Sequence, residues 1–287
     1  MDPRLVPNDD ALLTKLARTL ATVPGVAAIV LGGSRARGRA GPRSDYDIGL
    51  YYDPDRPIDI AALRGVVAGL DDAGPKASVT APGGWGPWID GGGWLTVSGT
   101  RVDLLYRDLA RVRGVIAACR DGRVQRVYQP GHPHAFVSAI YMGEVAYCRA
   151  LWDPSRRIGA LKGLTDPYPE PLRRALVDTF LWEAEFALGN ARHGRGLDDT
   201  AYVAGCGFRC VACLCQVLFA ANGAYLVNEK GAVSAAAELP RCPPGFGSRV
   251  EAAFRAVGTG RRAEGVEMLE ALVREAEAIS EGDGSDA

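Results

Sequence analysis

The chain has 287 residues, 33 Lys and Arg against 34 Asp and Glu, and a hydrophobic fraction of 47%. It can therefore bury a substantial core, which excludes a disordered or collagen-like chain. Its formal charge of −1 argues against a protein that coats nucleic acid, because non-specific phosphate binding needs a cationic excess. The length predicts one large domain or two modest ones.

Two features bear on the compartment. We count no run approaching the ~20 apolar residues of a transmembrane helix, and Met1-Asp2-Pro3 lacks the basic-then-apolar pattern of a secretory signal. We therefore expect a cytoplasmic protein with no membrane partner. Four of the seven cysteines fall between Cys206 and Cys215 amid apolar residues. They have no paired zinc-type spacing, so we interpret them as small core residues of one buried helix.

The N-terminal elements predict a strand, a glycine turn and a second strand in succession. Asn8, Asp9 and Asp10 offer N-caps to a helix that ends before Pro24-Gly25. The run Val26–Leu31 then predicts a strand, as does Tyr46–Tyr52. Between them lies Gly32-Gly33-Ser34-Arg35-Ala36-Arg37-Gly38.

The next segment extends the sheet. After Asp59 the apolar spacing predicts a helix closed by Gly74-Pro75, and Ala77–Thr80 predicts a short strand. Ala81–Gly93, with six glycines and two tryptophans, is typical of a functional or mobile loop. Residues 94–106 predict a hairpin that turns at Gly99-Thr100. Its inner strand would bury Val102, Leu104 and Tyr106, leaving Asp103 on the opposite face.

From Leu109 onward the pattern is mostly helical. Residues at i+4 spacing mark one long helix, and the cysteine-rich segment from about Ala201 to Ala221 marks another; the first set is Leu172, Leu176, Phe180, Ala184 and Leu188. We predict an α/β (α+β) domain with a mixed sheet at 1–165, an all-α helical-bundle domain at 166–280, and a disordered tail at 281–287.

Three carboxylates predict a metal site. Asp45 and Asp47 stand at i and i+2 in a strand, so both leave the same face about 6–7 Å apart. Asp103 supplies a third acid from a strand that could lie beside them. Hard oxygen ligands suit Mg²⁺, and three of them can hold a pair of ions for phosphoryl displacement.

The glycine turn predicts phosphate binding. Gly32 and Gly33 let backbone N–H groups approach a phosphate closely, and Ser34 can donate a further hydrogen bond. The spacing from Gly33 to Gly38 invites comparison with a Walker A loop, but Arg39-Ala40 occupies the place of the required Lys-Ser/Thr, which rejects that interpretation. No GxGxxG fingerprint follows a strand.

Taken together, Gly32-Gly33-Ser34, Gly38, Ser44-Asp45-Tyr46-Asp47 and Asp103 resemble the nucleotidyltransferase superfamily that includes DNA polymerase β. The resemblance implies transfer of a nucleoside monophosphate from an NTP, with ATP as the expected co-substrate, to a hydroxyl. It implies that Ser34 and the backbone of Gly32 and Gly33, with Ser44 in the same motif, bind nucleotide. Asp45 and Asp47 would bind two Mg²⁺ ions, and Asp103 would ligate one of them or act as a base.

The second half is similar to the helical domain of aminoglycoside-type nucleotidyltransferases. The resemblance rests on Gly207–Leu218, Asn222, Tyr225 and Asn228-Glu229-Lys230-Gly231, and it implies that Lys230 reaches the nucleotide phosphates. Glu183, Glu185, Asp198 and Asp199 form an acidic stretch. We interpret it as a solvated helix end, with a surface for a cationic acceptor as the alternative.

Three functions remain open on this evidence. The first is an enzyme that modifies a small molecule such as an aminoglycoside-like antibiotic. The second is a protein adenylyltransferase of antitoxin-like type, although such enzymes are usually shorter and lack a helical domain. The third is a non-catalytic nucleotide-binding relative. We expect an NTP and a small acceptor as partners, no nucleic acid, and either a monomer or a homodimer.

Overall fold

A computed structural model describes residues 10–41, 43–193 and 198–282. The chain forms two compact units. The first comprises the described residues up to Ala117 together with Tyr141–Pro167, and the second comprises Ala118–Ile140 and the described residues from Tyr168 onward.

The first unit is built on a five-stranded mixed sheet. Its strands are β1 (Val26–Leu31), β2 (Tyr46–Tyr52), β3 (Gly92–Val97), β4 (Thr100–Asp108) and β7 (Arg149–Trp152), arranged in the order β3-β4-β2-β1-β7. Strands β2 and β4 pair in parallel, while the other neighbours are antiparallel. The mixed sheet expected from the sequence is confirmed.

The two faces of this sheet differ in burial. On β2 and β4 the even-numbered residues from 46 to 52 and from 102 to 106 are buried in the main core, namely Tyr46, Ile48, Leu50, Tyr52, Val102, Leu104 and Tyr106. The core also contains residues of two helices, α1 (Ala11–Leu20) and α3 (Ile60–Leu70). Because side chains alternate along a strand, the odd-numbered residues of β2 and β4 leave the opposite face.

The two helices of the core begin as predicted. Asp10 caps α1 by accepting hydrogen bonds from the N–H groups of Leu12 and Leu13 at 2.9 and 3.1 Å. Asp59 caps α3 by accepting from Ala62 N–H at 2.9 Å. Both caps satisfy donors that the first helical turn leaves without partners.

The strand predicted at Ala77–Thr80 is wrong. Only Thr80 joins the sheet edge, where its N–H donates to Gly92 O at 2.8 Å. The return bond comes from a side chain, because Gly92 N–H donates to Thr80 Oγ1 at 2.9 Å. The hydroxyl thus takes the place that a backbone carbonyl would hold in a ladder.

Three further helices and a short 3₁₀ turn complete the first unit. The turn spans Gly74–Lys76. The helices are α2 (Gly33–Ala36), α5 (Ile140–Tyr147) and α6 (Arg157–Lys162). Helix α4 (Leu109–Arg120) follows β4 and ends in the second unit.

The second unit is mostly helical. Its helices are α7 (Glu170–Arg192), α8 (Thr200–Ala221), α9 (Ala232–Ala237), α10 (Phe246–Gly258) and α11 (Arg262–Glu281). The residues predicted at i+4 spacing are all buried in α7. Helix α11 includes Glu281, and residues 283–287 of the predicted tail lie outside the described residues.

Helix α8 is the cysteine-rich helix predicted from the sequence. Its residues from Cys210 to Ala221 are all buried. By length and composition it is the one helix in the described ranges that could cross a membrane, although 72% of its apolar stretch is buried inside the protein. The search of the sequence for an unbroken run of about 20 apolar residues did not find this helix, because Arg209 and Gln216 interrupt its apolar run.

All seven cysteines are free. Five are buried: Cys119, Cys148, Cys210, Cys213 and Cys215. Burial raises the pKa of the Cys213 and Cys215 thiols to about 12. The expectation that the cluster consists of core residues agrees with this burial.

The segment 118–140 differs from the predicted division, which placed it with the N-terminal domain. It carries a two-stranded ribbon, β5 (Arg126–Val127) paired with β6 (Phe136–Val137). Arg126 Nη1 donates to Glu183 Oε2 of α7 at 2.8 Å. A long-range ion pair of this kind leaves no trace in local sequence patterns.

Candidate active site

Asp47 and Asp103 are direct neighbours across the sheet. They are paired Cα partners on the parallel strands β2 and β4. Neighbouring strands lie about 4.8 Å apart, and both residues leave the face opposite the core. The third acid therefore lies beside the second one.

Asp45 joins this pair from the residue just before β2. It stands two positions before Asp47, and its side chain is 36% exposed. Its Oδ2 lies 3.4 Å from Arg101 Nη2, whose side chain is 69% exposed. An ion pair this exposed contributes little, so Arg101 compensates the acidic group only weakly.

The electrostatics show negative charge that is only partly compensated. Burial is the main cause that raises the pKa of Asp47 to about 6. The carboxylates of Asp45, Asp103 and Glu144 raise it further, while Arg37 lowers it. Burial and Asp45 also raise the pKa of Asp103. Arg101 lowers the pKa of Asp103, so Arg37 and Arg101 offset the negative charge of this group only in part.

Gly33 packs directly against Asp47. A Cβ at position 33 would lie 1.7 Å from Asp47 Oδ2, and φ at Gly33 is +60°. Both the space and the backbone conformation therefore require glycine. Gly32 contacts Asp47 through its backbone instead, because its N–H donates a hydrogen bond to Asp47 O at 2.7 Å. That N–H is used inside the fold, so the expectation that it faces a phosphate is corrected for this group.

The two serines of the motif also differ. Ser34 is half-buried in the single turn of α2, where the first N–H groups of a helix lack intrahelical acceptors. The described part of the chain gives its hydroxyl no hydrogen-bond partner. The Ser44 hydroxyl, in contrast, accepts from Gly41 N–H at 3.0 Å and so shapes the loop.

Sequence reasoning missed two arginines in the glycine turn. Arg35 stacks over the Tyr46 ring at 3.8 Å and donates to the carbonyls of Ser44 and Asp45 at 2.6 and 3.1 Å. It thereby fixes the backbone that presents Asp45. Arg37 donates to Gly33 O at 3.3 Å. Their i, i+2 spacing inside a glycine turn was the available signal.

A buried ion pair adjoins the acids on the same face. Arg107, on β4, is 4% exposed and binds Glu144 of α5 through two hydrogen bonds of 2.8 and 2.7 Å. Its remaining nitrogen donates to the carbonyls of Ile89 and Tyr106. The pair also stayed unrecognised at the sequence level, where Glu144 was a lone acid in an apolar helix.

Residues 13–80 match the family model of the nucleotidyltransferase domain. The match contains the glycine turn and the first two acids. It ends before β3, so Asp103 and Lys230 lie outside it. The similarity to a nucleotidyltransferase domain is therefore confined to the N-terminal part of the chain, and a mostly helical region follows it.

Other comparisons add little. No curated protein matches the chain. Among solved structures, the chain is similar to a nucleotidyltransferase-like protein from Exiguobacterium sibiricum 255-15, with 11% identity and a TM-score of 0.42. The similarity covers 94% of this chain and 77% of that one. Proteins this distant share at most a general architecture.

The acids fit a divalent cation by their chemistry. Within the described ranges, no group of three or more His, Cys, Asp or Glu side chains is placed so that it could hold a metal ion. Asp45, Asp47 and Asp103 nevertheless present hard oxygen donors, and their mutual repulsion adds to the burial that raises the pKa of Asp47. A cation such as Mg²⁺ would relieve that repulsion.

The predicted residues of the second unit have separate surroundings. Lys230 lies in an exposed turn, where its N–H donates to Asn228 Oδ1 at 3.0 Å. Glu183 binds Arg126 and Arg209 at 2.8 and 2.6 Å, so its charge is already compensated. Asp199 caps α8. These two acids therefore have structural contacts.

Proposed function

We propose that the chain transfers AMP from ATP to a hydroxyl of a small cytoplasmic acceptor, such as an aminoglycoside-like antibiotic. One observation carries the proposal: two acids in register, with a third beside them, share negative charge that is only partly compensated, next to a glycine turn. Phosphoryl transfer depends mainly on positioning and electrostatic stabilisation, so these parts suffice for the chemistry.

The roles follow from the positions. Asp45, Asp47 and Asp103 would hold Mg²⁺, with two ions as the family chemistry implies. When bound, the metal supplies positive charge that offsets the charge developing on the transferred phosphate. Ser34 and the N–H of Gly33 would bind the β- and γ-phosphates. Ser44 would act indirectly, by shaping the loop before Asp45.

The reaction forms one bond and breaks one. The acceptor oxygen bonds to the α-phosphorus, the bond from the α-phosphorus to the bridging oxygen breaks, and pyrophosphate leaves. The hydroxyl proton passes to a base. Asp103 is our candidate for this base, as the alternative to a role as metal ligand, because it lies beside Asp47 on the face that bears the acids.

Lys230 is the proposed contribution of the helical region to nucleotide binding. It is exposed, and no ion pair to it is formed within the described residues. A lysine of this kind can act on phosphates as a point charge. Protein adenylylation and nucleotide binding without catalysis remain the competing functions.

Pyrophosphate release tests the proposal. The full chain is incubated with Mg²⁺ and ATP, GTP, CTP or UTP, in the presence of kanamycin, streptomycin, lincomycin or candidate proteins. We expect release with ATP and a small acceptor. Release that depends on a protein acceptor would favour adenylylation of proteins, and none with any combination would favour a binding protein.

Variants connect the activity to the acids. Asp45→Asn and Asp47→Asn should each lower the rate about a hundred- to a thousandfold, on the scale of losing a main electrostatic contributor. Asp55→Asn is the control, because Asp55 is exposed in a turn outside the site. If both variants melt at higher temperature without metal yet keep full activity, the acids are only repelling surface charges.

A further inference from the structure

Trp94 extends the row of Asp47 and Asp103 by one strand. It is the Cα partner of Asp103 on the antiparallel strand β3. Its neighbour Leu95 is buried in the core, so Trp94 leaves the face that bears the acids. It is 71% exposed, which is unusual for so large an apolar side chain.

A second tryptophan lies against the first. The rings of Trp85 and Trp94 stack with centroids 4.5 Å apart and 25° between their planes. Trp85 lies over Gly92, where a Cβ would come within 2.9 Å of its ring. The two indoles thus form one apolar surface on β3, which we call the indole platform (Trp85 and Trp94).

The loop that carries Trp85 is held in place. Asp90 is 8% exposed and accepts hydrogen bonds from Tyr52 Oη at 2.9 Å and Gly83 N–H at 2.8 Å. Its carbonyl accepts from Trp85 N–H at 3.0 Å. The sequence allowed a mobile loop here, but these bonds fix the platform beside the acids.

The order of these residues across the sheet indicates which reactant lies near the indole platform. Gly32 bonds to Asp47 on one side, Asp103 lies on the other, and Trp94 follows Asp103. In a phosphoryl displacement the attacking and leaving oxygens lie roughly in line through the phosphorus. If the glycine turn holds the leaving pyrophosphate, the acceptor hydroxyl arrives from the side of Asp103 and Trp94.

We propose that the indole platform binds the acceptor through the flat face of a ring that bears, or adjoins, the reacting hydroxyl. The inference rests on the proposed function for its direction, and it narrows the acceptor to ring compounds with one apolar face. A hexose or cyclitol ring can present its C–H groups to an indole, and a planar heterocycle can stack on it. A flexible open-chain alcohol lacks such a face.

Binding measurements test the platform without requiring turnover. Calorimetric titrations use the full chain with Mg²⁺ and α,β-methylene-ATP, and then with kanamycin, spectinomycin and lincomycin in turn. We compare the wild type, Trp94→Ala, Trp94→Phe and Tyr128→Ala. Tyr128, which is 88% exposed, is the matched control for removing a surface aromatic.

We expect Trp94→Ala to weaken binding of a ring compound about tenfold, and Trp94→Phe to restore most of it. Affinity for α,β-methylene-ATP should stay within about twofold in every variant. Loss of nucleotide affinity alone would make the platform a nucleobase site and overturn the proposal. Equal effects of Trp94→Ala and Tyr128→Ala, or no ring compound bound by the wild type, would overturn it too.

The outcomes separate this inference from the proposed function. Pyrophosphate release with unchanged acceptor affinity in Trp94→Ala rejects the platform and leaves the transferase standing. Acceptor binding that needs Trp94, without pyrophosphate release, rejects the transferase and leaves the platform standing.

Discussion

Two carboxylates of this chain, one in each unit, have opposite electrostatic surroundings. In the first unit, burial and neighbouring acids raise the pKa of Asp47 to about 6. In the second unit, hydrogen bonding from Arg209 is the main cause that lowers the pKa of Glu183, and Arg126 adds to it. The charge of the first side chain is only partly offset, by Arg37, while the second forms ion pairs with two arginines.

The two pKa shifts give a criterion for choosing candidate functional acids among acidic residues. In the sequence both residues belong to short acidic stretches and look alike. A compensated acid stabilises its surroundings, whereas an uncompensated one costs stability and persists where something else, such as a cation, completes it. Substitutions of the two acids should therefore change stability in opposite directions in the two units.

Removing a counter-charge from the first unit should have the largest effect. Arg107→Met leaves Glu144 unpaired beside Asp47, so we expect the free energy of unfolding to fall by about 3–5 kcal/mol. Urea-induced unfolding measures it. Arg101→Met is the control, because its exposed pair with Asp45 should be worth less than about 1 kcal/mol. Equal losses in the two variants would contradict the assignment of a compensated buried pair.

Neutralising the partly compensated acid should stabilise the protein when metal is absent. Asp47 has a higher pKa in the fold than when unfolded, so its charge costs stability as pH rises from about 4 to 6. We therefore expect Asp47→Asn to gain about 2–3 kcal/mol at pH 8, about half of that at pH 5, and nothing below pH 4. Thermal melting in EDTA measures the gain, with Asp55→Asn as control. A gain independent of pH would refute the electrostatic cause.

Among the cations of the second unit, Lys230 is exposed, whereas Arg126 and Arg209 form ion pairs with Glu183. Lys230→Ala should weaken ATP binding by about 1.5–3 kcal/mol, roughly ten- to a hundredfold, and leave acceptor binding nearly unchanged. Calorimetric titration of the wild type and of Lys230→Ala with ATP measures this loss of affinity. Unchanged ATP affinity would remove most of the case that the helical region contributes to the nucleotide site.

Neutralising the compensated acid should have the smallest effect, with the opposite sign to Asp47. Glu183→Gln should cost about 1 kcal/mol at pH 7, since its partially exposed contacts to two arginines weaken. The folded pKa is depressed, so the difference from wild type should shrink as pH falls below about 4.5. Glu185→Gln, at an exposed position of the same helix, is the control. A higher free energy of unfolding for Glu183→Gln than for the wild type would contradict the conclusion that the two arginines compensate Glu183.

The site was predictable where strand alternation determined it. Burying Val102, Leu104 and Tyr106 forces Asp103 onto the other face, and the spacing of Asp45 and Asp47 does the same on β2. Gly33 was singled out from the sequence for the approach of a phosphate, whereas its packing against Asp47 was not predicted.

Contacts between distant residues were not predictable. Arg107 and Glu144 are 37 positions apart, and nothing local marks them as partners. The strand wrongly predicted at Ala77–Thr80 has a similar cause. The Thr80 hydroxyl accepts the hydrogen bond from Gly92 N–H that a backbone carbonyl would accept in a strand. The position of Trp94 beside Asp103 follows from the register of β3 against β4. Apolar spacing in the sequence does not define that register.

The buried thiols have a practical consequence. Because burial raises the pKa of Cys213 and Cys215 to about 12, an alkylating reagent at neutral pH meets protonated, inaccessible sulfur there. Cys206 and Cys242, which are partly exposed, are the groups open to labelling in the native protein. Pulse alkylation followed by mass spectrometry would then report when the cysteine-rich helix opens, without any introduced probe.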